Sequence, residues 1–312
     1  MSATRRRPPS TRRPARPATS RAPRARSKKG GAGRTRRPLG QHFLTPSWAA
    51  RLVERLAPVP GDVFLEIGSG AGALTLPLAA TGAPILAVDV DWQLVETLAS
   101  RVPRNVTVLH GDILELDVIP YLTGLVPQQA HPGSVADGPR QRFRVAGNLP
   151  YYIASPILFH LIELHRRHRL FADATVMVQR EVADRLVARP GTRDYGVLTV
   201  LLSVHARVSR VLDLPPSAFL PPPKVHSSVV RLEFGPPAVR LPDERLFERL
   251  VKAMFGQRRK MLGNALKGFH PVMPSVLAAS GLDLRRRPET LSLDEISGLA
   301  ERLAAAVHAP VL

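Results

Sequence analysis

Strand-like and helix-like segments alternate along this 312-residue chain from about residue 45 to residue 214. Consecutive parallel strands need a crossover connection, usually a helix, so the alternation predicts an α/β fold with a parallel sheet covered by helices. No clear helix separates the last two strand-like segments, and we expect them to pair in antiparallel fashion. The seven predicted strands are 63–67, 85–89, 106–110, 143–146, 174–179, 206–212 and 228–234.

The pattern changes after Gly235-Pro236-Pro237, because residues 243–308 show only helical periodicity. A chain of 312 residues is long enough for one large domain and one small domain. We therefore expect a disordered basic tail at 1–37, an α/β domain at 38–236 and a small α-helical domain at 237–312.

A glycine-rich turn joins the first predicted strand to a helix-like run that begins at Leu74. Its glycines, Gly68, Gly70 and Gly72, let the backbone approach a ligand closely. The spacing also satisfies the looser dinucleotide-binding pattern, which alone is a weak signal. Glu66 favours S-adenosylmethionine over NAD, because a carboxylate near the turn suits a cofactor that carries positive charge and no pyrophosphate.

Acidic side chains end the next two predicted strands. Asp89 lies roughly 20 residues after the glycines, where a carboxylate can hydrogen-bond ribose hydroxyls, with Asp91 as the second choice. Asp112 is suited to accept a hydrogen bond from the adenine amino group of a cofactor. Each acid alone could equally be a helix cap or a turn residue. Their shared position is more informative, because ligands bind at the carboxyl ends of strands in open α/β sheets.

The fourth predicted strand leads into the tetrad Asn148, Leu149, Pro150 and Tyr151. Asn148 brings an amide with an acceptor and two donors, Pro150 fixes a rigid turn, and Tyr151 offers a face for stacking. This combination suits an enzyme that holds the exocyclic amino group of a flipped base in front of an electrophile. The alternative interpretation is an ordinary strand-to-helix turn with a hydrogen-bonded Asn.

Charge is distributed unevenly along the chain. The formal net charge is +19, and residues 1–37 contain fourteen Arg or Lys and no acid, so residues 38–312 carry the remaining +5. The tail is too polar to bury a core. We favour an arm that binds RNA phosphates over a solvated extension or an organellar transit peptide, since its repeated Pro disfavours the amphipathic helix of such peptides.

The absence of cysteine excludes disulfides, thiol catalysis and thiolate metal sites. No apolar run has the length of a membrane span, and no secretory signal is visible. We expect a soluble, cytoplasmic, monomeric protein without a membrane contact. His165 and His168 have a spacing that could bind a metal, but no third ligand is obvious, and we expect no metal.

Taken together, these segments resemble the ribosomal RNA adenine dimethyltransferase superfamily, specifically the bacterial 16S rRNA dimethyladenosine transferases. The resemblance covers about residues 38–270 and its joint signal is highly specific. The segments that carry it are Leu39-Gly40-Gln41-His42-Phe43-Leu44, Glu66-Ile67-Gly68-Ser69-Gly70-Ala71-Gly72, Asn148-Leu149-Pro150-Tyr151-Tyr152-Ile153, Ser217-Ala218-Phe219-Leu220-Pro221-Pro222-Pro223-Lys224-Val225, Phe255-Gly256-Gln257-Arg258-Arg259-Lys260 and Asn264-Ala265-Leu266.

The resemblance implies a seven-stranded Rossmann-like methyltransferase domain that uses S-adenosylmethionine, followed by a small α-helical domain that binds RNA. It implies a cofactor pocket formed by His42, Leu44, Gly68, Asp89, Asp112 and Asn148. The chain departs from the family at Asp89, where Glu is usual, and at Ser69, where many members have Pro. A Gly- and Pro-rich stretch at 124–139 indicates an enlarged loop.

The resemblance also implies the reaction, which adds two methyl groups to N6 of each of two adjacent adenines in the 3′-terminal hairpin of 16S rRNA within a 30S precursor. The side-chain oxygen of Asn148 and the carbonyl of Leu149 would accept the two N6 hydrogens. Tyr151 would stack on the base, with Phe219 on the other face. Phosphate contacts are expected from Arg258, Arg259 and Lys260.

Three alternatives remain. The 23S rRNA methyltransferases that confer antibiotic resistance share the chemistry, but typically have Ile and Phe where this chain has Leu149 and Tyr151. A non-catalytic RNA-binding or ribosome-assembly factor, or a mitochondrial transcription-factor relative, would have lost Asn148 or the glycine turn. An NAD oxidoreductase is disfavoured because no acid–base His accompanies these motifs.

Overall fold

The computed structural model describes residues 42–126 and 142–308. The predicted basic tail, the Leu39-Gly40-Gln41 part of the first motif and residues 127–139 of the predicted loop lie outside these ranges. Within them, no helix is both long enough and apolar enough to cross a bilayer.

The strands and helices alternate as the sequence pattern predicts. The strands are β1 (Phe43–Leu44), β2 (Asp62–Ile67), β3 (Ile85–Asp89), β4 (Val106–His110), β5 (Arg142–Asn148), β6 (Phe171–Gln179), β7 (Ala206–Leu214), β8 (Phe219–Leu220) and β9 (Ser227–Phe234). The helices are α1 (Pro46–Leu56), α2 (Thr75–Ala79), α3 (Trp92–Ala99), α4 (Ile119–Gly124), α5 (Ala154–His168), α6 (Arg180–Leu186), α7 (Val197–Ser203), α8 (Glu244–Gly256), α9 (Leu262–Ala265), α10 (Met273–Ala279) and α11 (Leu293–His308).

Seven strands form one twisted sheet in the order β4-β3-β2-β5-β6-β9-β7. The pairs from β4 to β6 are parallel, whereas β9 is antiparallel to both β6 and β7. The predicted α/β class, the seven strands and the antiparallel finish are therefore confirmed. The chain reverses its direction of winding between β2 and β5, so their carboxyl ends flank the crevice in which such sheets bind ligands.

The sheet buries both of its faces, and β2 is buried at all six residues. One face packs Phe64 and Ile85 under α1 and α2, and the other packs Leu65 and Val145 under α5. Gly147 brings β2 and β5 together, because a Cβ at this position would lie 2.3 Å from the carbonyl oxygen of Ile67. Close approach of the two central strands thus depends on glycine beside the ligand-binding edge.

A buried ion cluster joins the three central strands near their amino ends, opposite the ligand-binding edge. On β5, the guanidinium of Arg144 donates to Asp62 on β2 at 2.8 Å and to Asp173 on β6 at 2.8 and 2.9 Å. The side chains of Arg144 and Asp62 are 3% and 0% exposed. The bidentate geometry satisfies the guanidinium, which otherwise would be costly to bury.

A second, two-stranded sheet was not predicted from the sequence. β1 pairs antiparallel with β8, so that Phe43 lies opposite Leu220 and Leu44 opposite Phe219. The Thr45 backbone N–H extends the pairing by donating to the Ala218 carbonyl at 2.9 Å. Each strand has two residues, too few for an alternating pattern to be recognisable in the sequence.

Helices α8 to α11 follow the sheet, as the periodicity of residues 243–308 predicts. Their apolar faces share a core with α7, in which Phe247 and Leu250 pack with Val200. Helix α8 begins at an N-cap, Asp243, whose side chain accepts from the Leu246 N–H at 2.9 Å. From the sequence, the helix that begins this part is predicted to end in Gln257-Arg258-Arg259-Lys260; this is wrong, because α8 ends at Gly256 and the cations that follow lie in a turn. The limit between the two domains at residue 236 stays a prediction.

Candidate active site

The glycine turn lies at the carboxyl end of β2, directly beside the end of β5. Gly68, Gly70 and Gly72 have φ values of 74°, 53° and 87°, in the left-handed region that favours glycine. A Cβ at Gly68 would lie 3.0 Å from the Asn148 carbonyl oxygen, and one at Gly70 would lie 3.1 Å from the Phe43 ring. These glycines keep the turn close to the backbone of both neighbouring motifs.

Three polar side chains, Glu66, Ser69 and Thr75, are buried at the base of this turn and are 1%, 4% and 0% exposed. Thr75 faces the Glu66 carboxyl group through its hydroxyl and backbone N–H, whereas Glu66 Oε2 and the Ser69 hydroxyl have no hydrogen-bond partner among the described residues. Burial raises the pKa of Glu66 to about 8; Thr75 opposes the rise and Asp89 adds to it. Glu66 is therefore protonated at neutral pH in the unliganded protein.

Asp89 is fixed to the glycine turn. One carboxylate oxygen accepts from the Gly70 N–H at 2.7 Å and the other from the Asp91 N–H at 2.9 Å. A carboxylate has about four lone-pair positions, so two stay available to hydroxyl groups of a ligand. Asp91 instead caps α3, where its side chain accepts from the Gln93 N–H at 3.0 Å.

Asp112 lies after β4 on the same edge and is exposed. One of its carboxylate oxygens accepts from the Leu114 N–H at 2.9 Å. Asp112 and Asp89 line one cleft together with the glycine turn and the tetrad. The lining residues are Ile67, Gly68, Val88, Asp89, Val90, Gly111, Asp112, Ile113, Pro150, Tyr152, Ile153 and Ile157.

Asn148 ends β5, and its side-chain orientation is fixed from the β1 side. Its Nδ2 donates to the His42 carbonyl at 3.0 Å, which leaves the side-chain oxygen without a partner among the described residues. The Leu149 N–H donates to the Met177 carbonyl at 3.1 Å, and its side chain is buried. Leu44 is buried as well, so its contribution to the site is to hold β1 in the core.

Tyr151 and His42 form the aromatic border of the site. Their ring centroids are 6.4 Å apart and the rings are inclined by 26°. The Tyr151 hydroxyl is hydrogen-bonded to the Ser227 hydroxyl at 2.7 Å, and a His42 ring nitrogen lies 2.7 Å from the Pro221 carbonyl oxygen. Both rings are thus held by residues that follow β8.

Phe219 is 2% exposed and packs in the core beneath the β1–β8 pair. Its neighbour Leu220 is 70% exposed. Phe219 therefore offers no open face to a base, and the stacking role predicted for it stays a prediction. Leu220 faces solvent at the same strand pair.

The three predicted RNA-binding residues differ in their surroundings. Arg258 is engaged within the protein, because it pairs with Glu289 at 3.1 Å and donates to the Arg193 carbonyl at 2.8 Å. Arg259 and Lys260 are exposed and form no ion pair with any described residue. Arg259 and Lys260 are therefore the better placed pair for contacts with phosphate.

The described part of the chain contains no group of three or more His, Cys, Asp or Glu side chains that could hold a metal ion. His165 is buried and stacks on Phe234 with ring centroids 4.8 Å apart. His168 is exposed at the end of α5.

The site fits S-adenosylmethionine on three observations. Glycine at position 68 lets the turn lie directly against the Asn148 carbonyl, from which a Cβ would be only 3.0 Å away. Acids stand at the ends of β3 and β4, where hydroxyl and amino groups of an adenosine can be bound. The buried Oε2 of Glu66 has no described partner and suits a cationic ligand.

The sequence pattern of the ribosomal RNA adenine dimethylase family matches residues 32–304. The chain belongs to the ribosomal RNA adenine dimethylase family. The predicted membership is thereby confirmed, and with it the use of S-adenosylmethionine as cofactor.

Several bacterial relatives of this family member share the name ribosomal RNA small subunit methyltransferase A. The protein from Geobacter sulfurreducens is 40% identical over 282 residues, which cover 88% of this chain and 96% of the relative. The protein from Anaeromyxobacter sp. (strain K) is 42% identical over 275 residues, which cover 86% and 94%. The protein from Acidobacterium capsulatum is 37% identical over 275 residues, which cover 86% and 91%.

Two solved structures share the fold across most of this family member. A dimethyladenosine transferase from Plasmodium falciparum has a TM-score of 0.64 at 22% identity, covering 84% of this chain and 98% of that one. The 23S rRNA methyltransferase ErmE has a TM-score of 0.58 at 24% identity, covering 84% and 99%.

Three residues near the site were not predicted individually. Phe43 packs on the glycine turn, Ser227 holds the Tyr151 hydroxyl, and Tyr152 lines the cleft while 69% exposed. The role of Tyr152 could have been predicted, because this second aromatic residue directly follows the tetrad. The role of Ser227 could not, because it depends on a contact across 76 positions of sequence.

Proposed function

We propose that this protein transfers methyl groups to N6 of two adjacent adenines in the 3′-terminal hairpin of 16S rRNA, giving dimethyladenosines during small-subunit assembly. The proposal includes a 30S precursor as substrate, a cytoplasmic location, a monomeric enzyme and no metal. S-adenosylmethionine supplies the electrophilic methyl group when bound.

The orientation of Asn148 carries the proposal. Because its Nδ2 is engaged by the His42 carbonyl, the side-chain oxygen is the atom left to accept a hydrogen bond at the site. An adenine N6 is a poor nucleophile, since its lone pair is delocalised into the ring. Acceptors for both N6 hydrogens, Asn148 Oδ1 and the Leu149 carbonyl, would draw the nitrogen towards tetrahedral geometry. The catalysis required of the protein is then positioning and electrostatics.

Tyr151 supports one face of the base. Its hydroxyl is fixed by Ser227 at 2.7 Å, so the ring loses little further freedom when a base stacks on it. The His42 ring lies beside this ring, with centroids 6.4 Å apart, and the His42 carbonyl ties Asn148 to β1. Phe219 would complete the sandwich if β8 moved to expose it. The proton leaves N6 after methylation, when the nitrogen is acidic, so no side chain has to act as a base.

Exposed cations offer a path for RNA away from the tetrad. Arg180, at the end of β6, donates through its backbone N–H to the His226 carbonyl at 3.0 Å, which brings α6 beside the Lys224 segment. The side chains of Arg180, Lys224 and His226 are exposed. Arg259 and Lys260 follow α8 in the sequence and are exposed as well. This arrangement supports contacts with the phosphates of a structured RNA.

The relatives support the small-subunit substrate over the large-subunit one. Proteins about 40% identical over most of this chain carry a small-subunit name. The fold shared with ErmE does not distinguish the two substrates, because the same fold carries both activities.

The first prediction tests this function with purified protein and small-subunit particles from cells that lack dimethyladenosine. The wild type should convert two adenines to dimethyladenosine, detected by nucleoside chromatography and located by primer extension. Asn148→Ala should lower the rate at saturating substrate by at least about 100-fold, because its acceptor acts as N6 changes geometry. Cofactor affinity measured by calorimetry should change less than about tenfold.

Asn105→Ala is the matched control. Asn105 also hydrogen-bonds backbone carbonyls through Nδ2, but it lies before β4 at the other edge of the sheet. Its folded fraction should methylate normally. Near-normal turnover in Asn148→Ala would contradict the mechanism. Methylation of large-subunit rRNA alone would favour the resistance-type enzyme, and tight RNA binding without any methylation would favour an assembly factor.

A further inference from the structure

The buried polar group formed by Glu66, Ser69 and Thr75 is not explained by the fold. Each of the three side chains is at least 96% buried, and while Thr75 faces the Glu66 carboxyl group, Glu66 Oε2 and the Ser69 hydroxyl have no partner among the described residues. A buried polar group without a hydrogen bond costs on the order of 1–3 kcal/mol. The two unpaired groups, Glu66 Oε2 and the Ser69 hydroxyl, lie next to the glycine turn and indicate a site that is completed by a ligand.

Glu66 lies on the face of the sheet that α1 and α2 cover. It follows Phe64 by two residues, and side chains two apart in a strand share a face. Its neighbours in register are Ala87 on β3 and Ala146 on β5, whose small side chains carry no charge. The buried residues of α1 are apolar, and α2 has no charged residue.

The charge that acts on Glu66 comes from Asp89. A nearby carboxylate disfavours the ionised form of a buried carboxyl group, and the Asp89 oxygens accept from two backbone N–H groups. Burial raises the pKa of Glu66 to about 8 with Thr75 opposing and Asp89 adding to the rise. Glu66 therefore keeps its proton at neutral pH.

Resting on the function proposed above, we infer that binding of the cationic cofactor is coupled to release of one proton from Glu66. The O–H bond of the Glu66 carboxyl group breaks, the electron pair stays on the carboxylate and the proton passes to the buffer. No bond of the cofactor changes. Glu66 is a positioning residue in this scheme, since it holds the cofactor and contacts no reacting atom.

The coupling predicts a specific dependence of affinity on pH. Below the pKa of the free site, binding that releases one proton tightens tenfold for each pH unit. The affinity of the wild type for S-adenosylmethionine should thus rise about tenfold between pH 6 and pH 7. It should level off above pH 8, where Glu66 is already ionised.

Calorimetry on the full-length protein tests the inference directly. S-adenosylmethionine is titrated at pH 7 in two buffers with different ionisation enthalpies, and the difference in heat gives the number of protons released. We expect close to one proton for the wild type. Zero protons with measurable binding would overturn the coupling and leave the proposed function intact. No binding at any pH would overturn both.

Two variants and one further ligand assign the proton. On binding S-adenosylmethionine, Glu66→Gln should release close to no protons, and its affinity should not depend on pH. Glu54→Gln, which changes an exposed residue of α1, should behave as the wild type. The ligand 5′-methylthioadenosine lacks the amino-acid portion and both cationic groups, so it should bind to the wild type without proton release. Full release by Glu66→Gln or with 5′-methylthioadenosine would assign the proton elsewhere. The wild-type measurement stands alone if Glu66→Gln does not fold.

Discussion

At the scale of single residues, the polar side chains of the site already use part of their hydrogen-bonding capacity within the protein. Asn148 has its donor committed to the His42 carbonyl, and Asp89 has two acceptor positions committed to backbone N–H groups. The acceptors that stay available to a ligand are the side-chain oxygen of Asn148 and the remaining lone pairs of the Asp89 carboxylate. This preorganisation means that little reorientation is needed when a base or an adenosine binds.

Glu66 carries a prediction for the stability of the unliganded protein. Its pKa is about 8 when folded and about 4.5 when unfolded. Between these values the unfolded chain has lost the proton that the folded chain keeps, so the free energy of unfolding falls as pH rises from 4.5 to 8. Removal of this ionisable group should stabilise the protein most at and above pH 8.

The measurement is urea unfolding of the wild type and Glu66→Gln at several pH values. Glu66→Gln should gain on the wild type by about 2–4 kcal/mol between pH 5 and pH 8, with the two curves converging at low pH. Glu54→Gln controls for the amide substitution at an exposed position. Parallel curves for Glu66→Gln and the wild type would mean that Glu66 ionises normally in the folded state.

At the scale of secondary-structure elements, the central strands are held from both ends. Gly147 brings β5 against β2 near the site, and Arg144 bridges β2, β5 and β6 at the far edge. The ends of these strands carry the glycine turn and Asn148. A loss of alignment at the far edge would therefore change the spacing of groups at the site.

Arg144→Met should lower the free energy of unfolding by about 3–5 kcal/mol, because it removes the buried guanidinium that Asp62 and Asp173 share and leaves only the longer contacts from Arg142 at 3.4 Å and Arg231 at 4.0 Å. Arg142→Met is the matched control on the same strand. Arg142 pairs with Asp62 at 3.4 Å but is 46% exposed, so its loss should cost less than about 1 kcal/mol. Chemical denaturation measures both, and equal losses would show that the buried bridge has no special role.

The elements differ in how well the sequence predicted them. The strands that carry Gly68, Asp89, Asp112 and Asn148 were predictable, because apolar runs and glycine turns are local signals. The β1–β8 pair was not, since its four residues come from segments about 175 positions apart. Two further features depend on contacts between distant segments and could not be predicted either. They are the hydrogen bond from Asn148 to the His42 carbonyl and the burial of Phe219, which had been expected to stack on a base.

At the scale of the whole molecule, charge decides how RNA is reached. Fourteen of the 44 Lys and Arg residues lie in residues 1–37, and the arm that they form in our interpretation stays a prediction. In the described part of the chain, exposed cations lie both after α8 and before β4. Arg259 and Lys260 follow α8, whereas Arg101 and Arg104 lie before β4 at the edge away from the site. All four are exposed, so these two pairs allow a comparison at equal net charge.

The final prediction uses that comparison. Each phosphate neutralised by a cation releases counterions, so the slope of log affinity against log salt reports the number of phosphate contacts. The double variant of Arg259→Ala and Lys260→Ala should weaken binding to small-subunit RNA at low salt and reduce the magnitude of the slope by roughly 1.5–2. Cofactor affinity should be unchanged, because neither residue lines the cleft.

The double variant of Arg101→Ala and Arg104→Ala removes the same charge from the other edge. If RNA lies along the path from the tetrad to α8, this variant should keep the wild-type slope, and its affinity should fall only by the weak long-range effect of net charge. Equal losses in the two double variants would mean that RNA responds to total charge and that Arg259 and Lys260 make no direct contact. A loss confined to Arg101 and Arg104 would put the RNA on the opposite edge, away from Asn148, which is incompatible with methylation at this site.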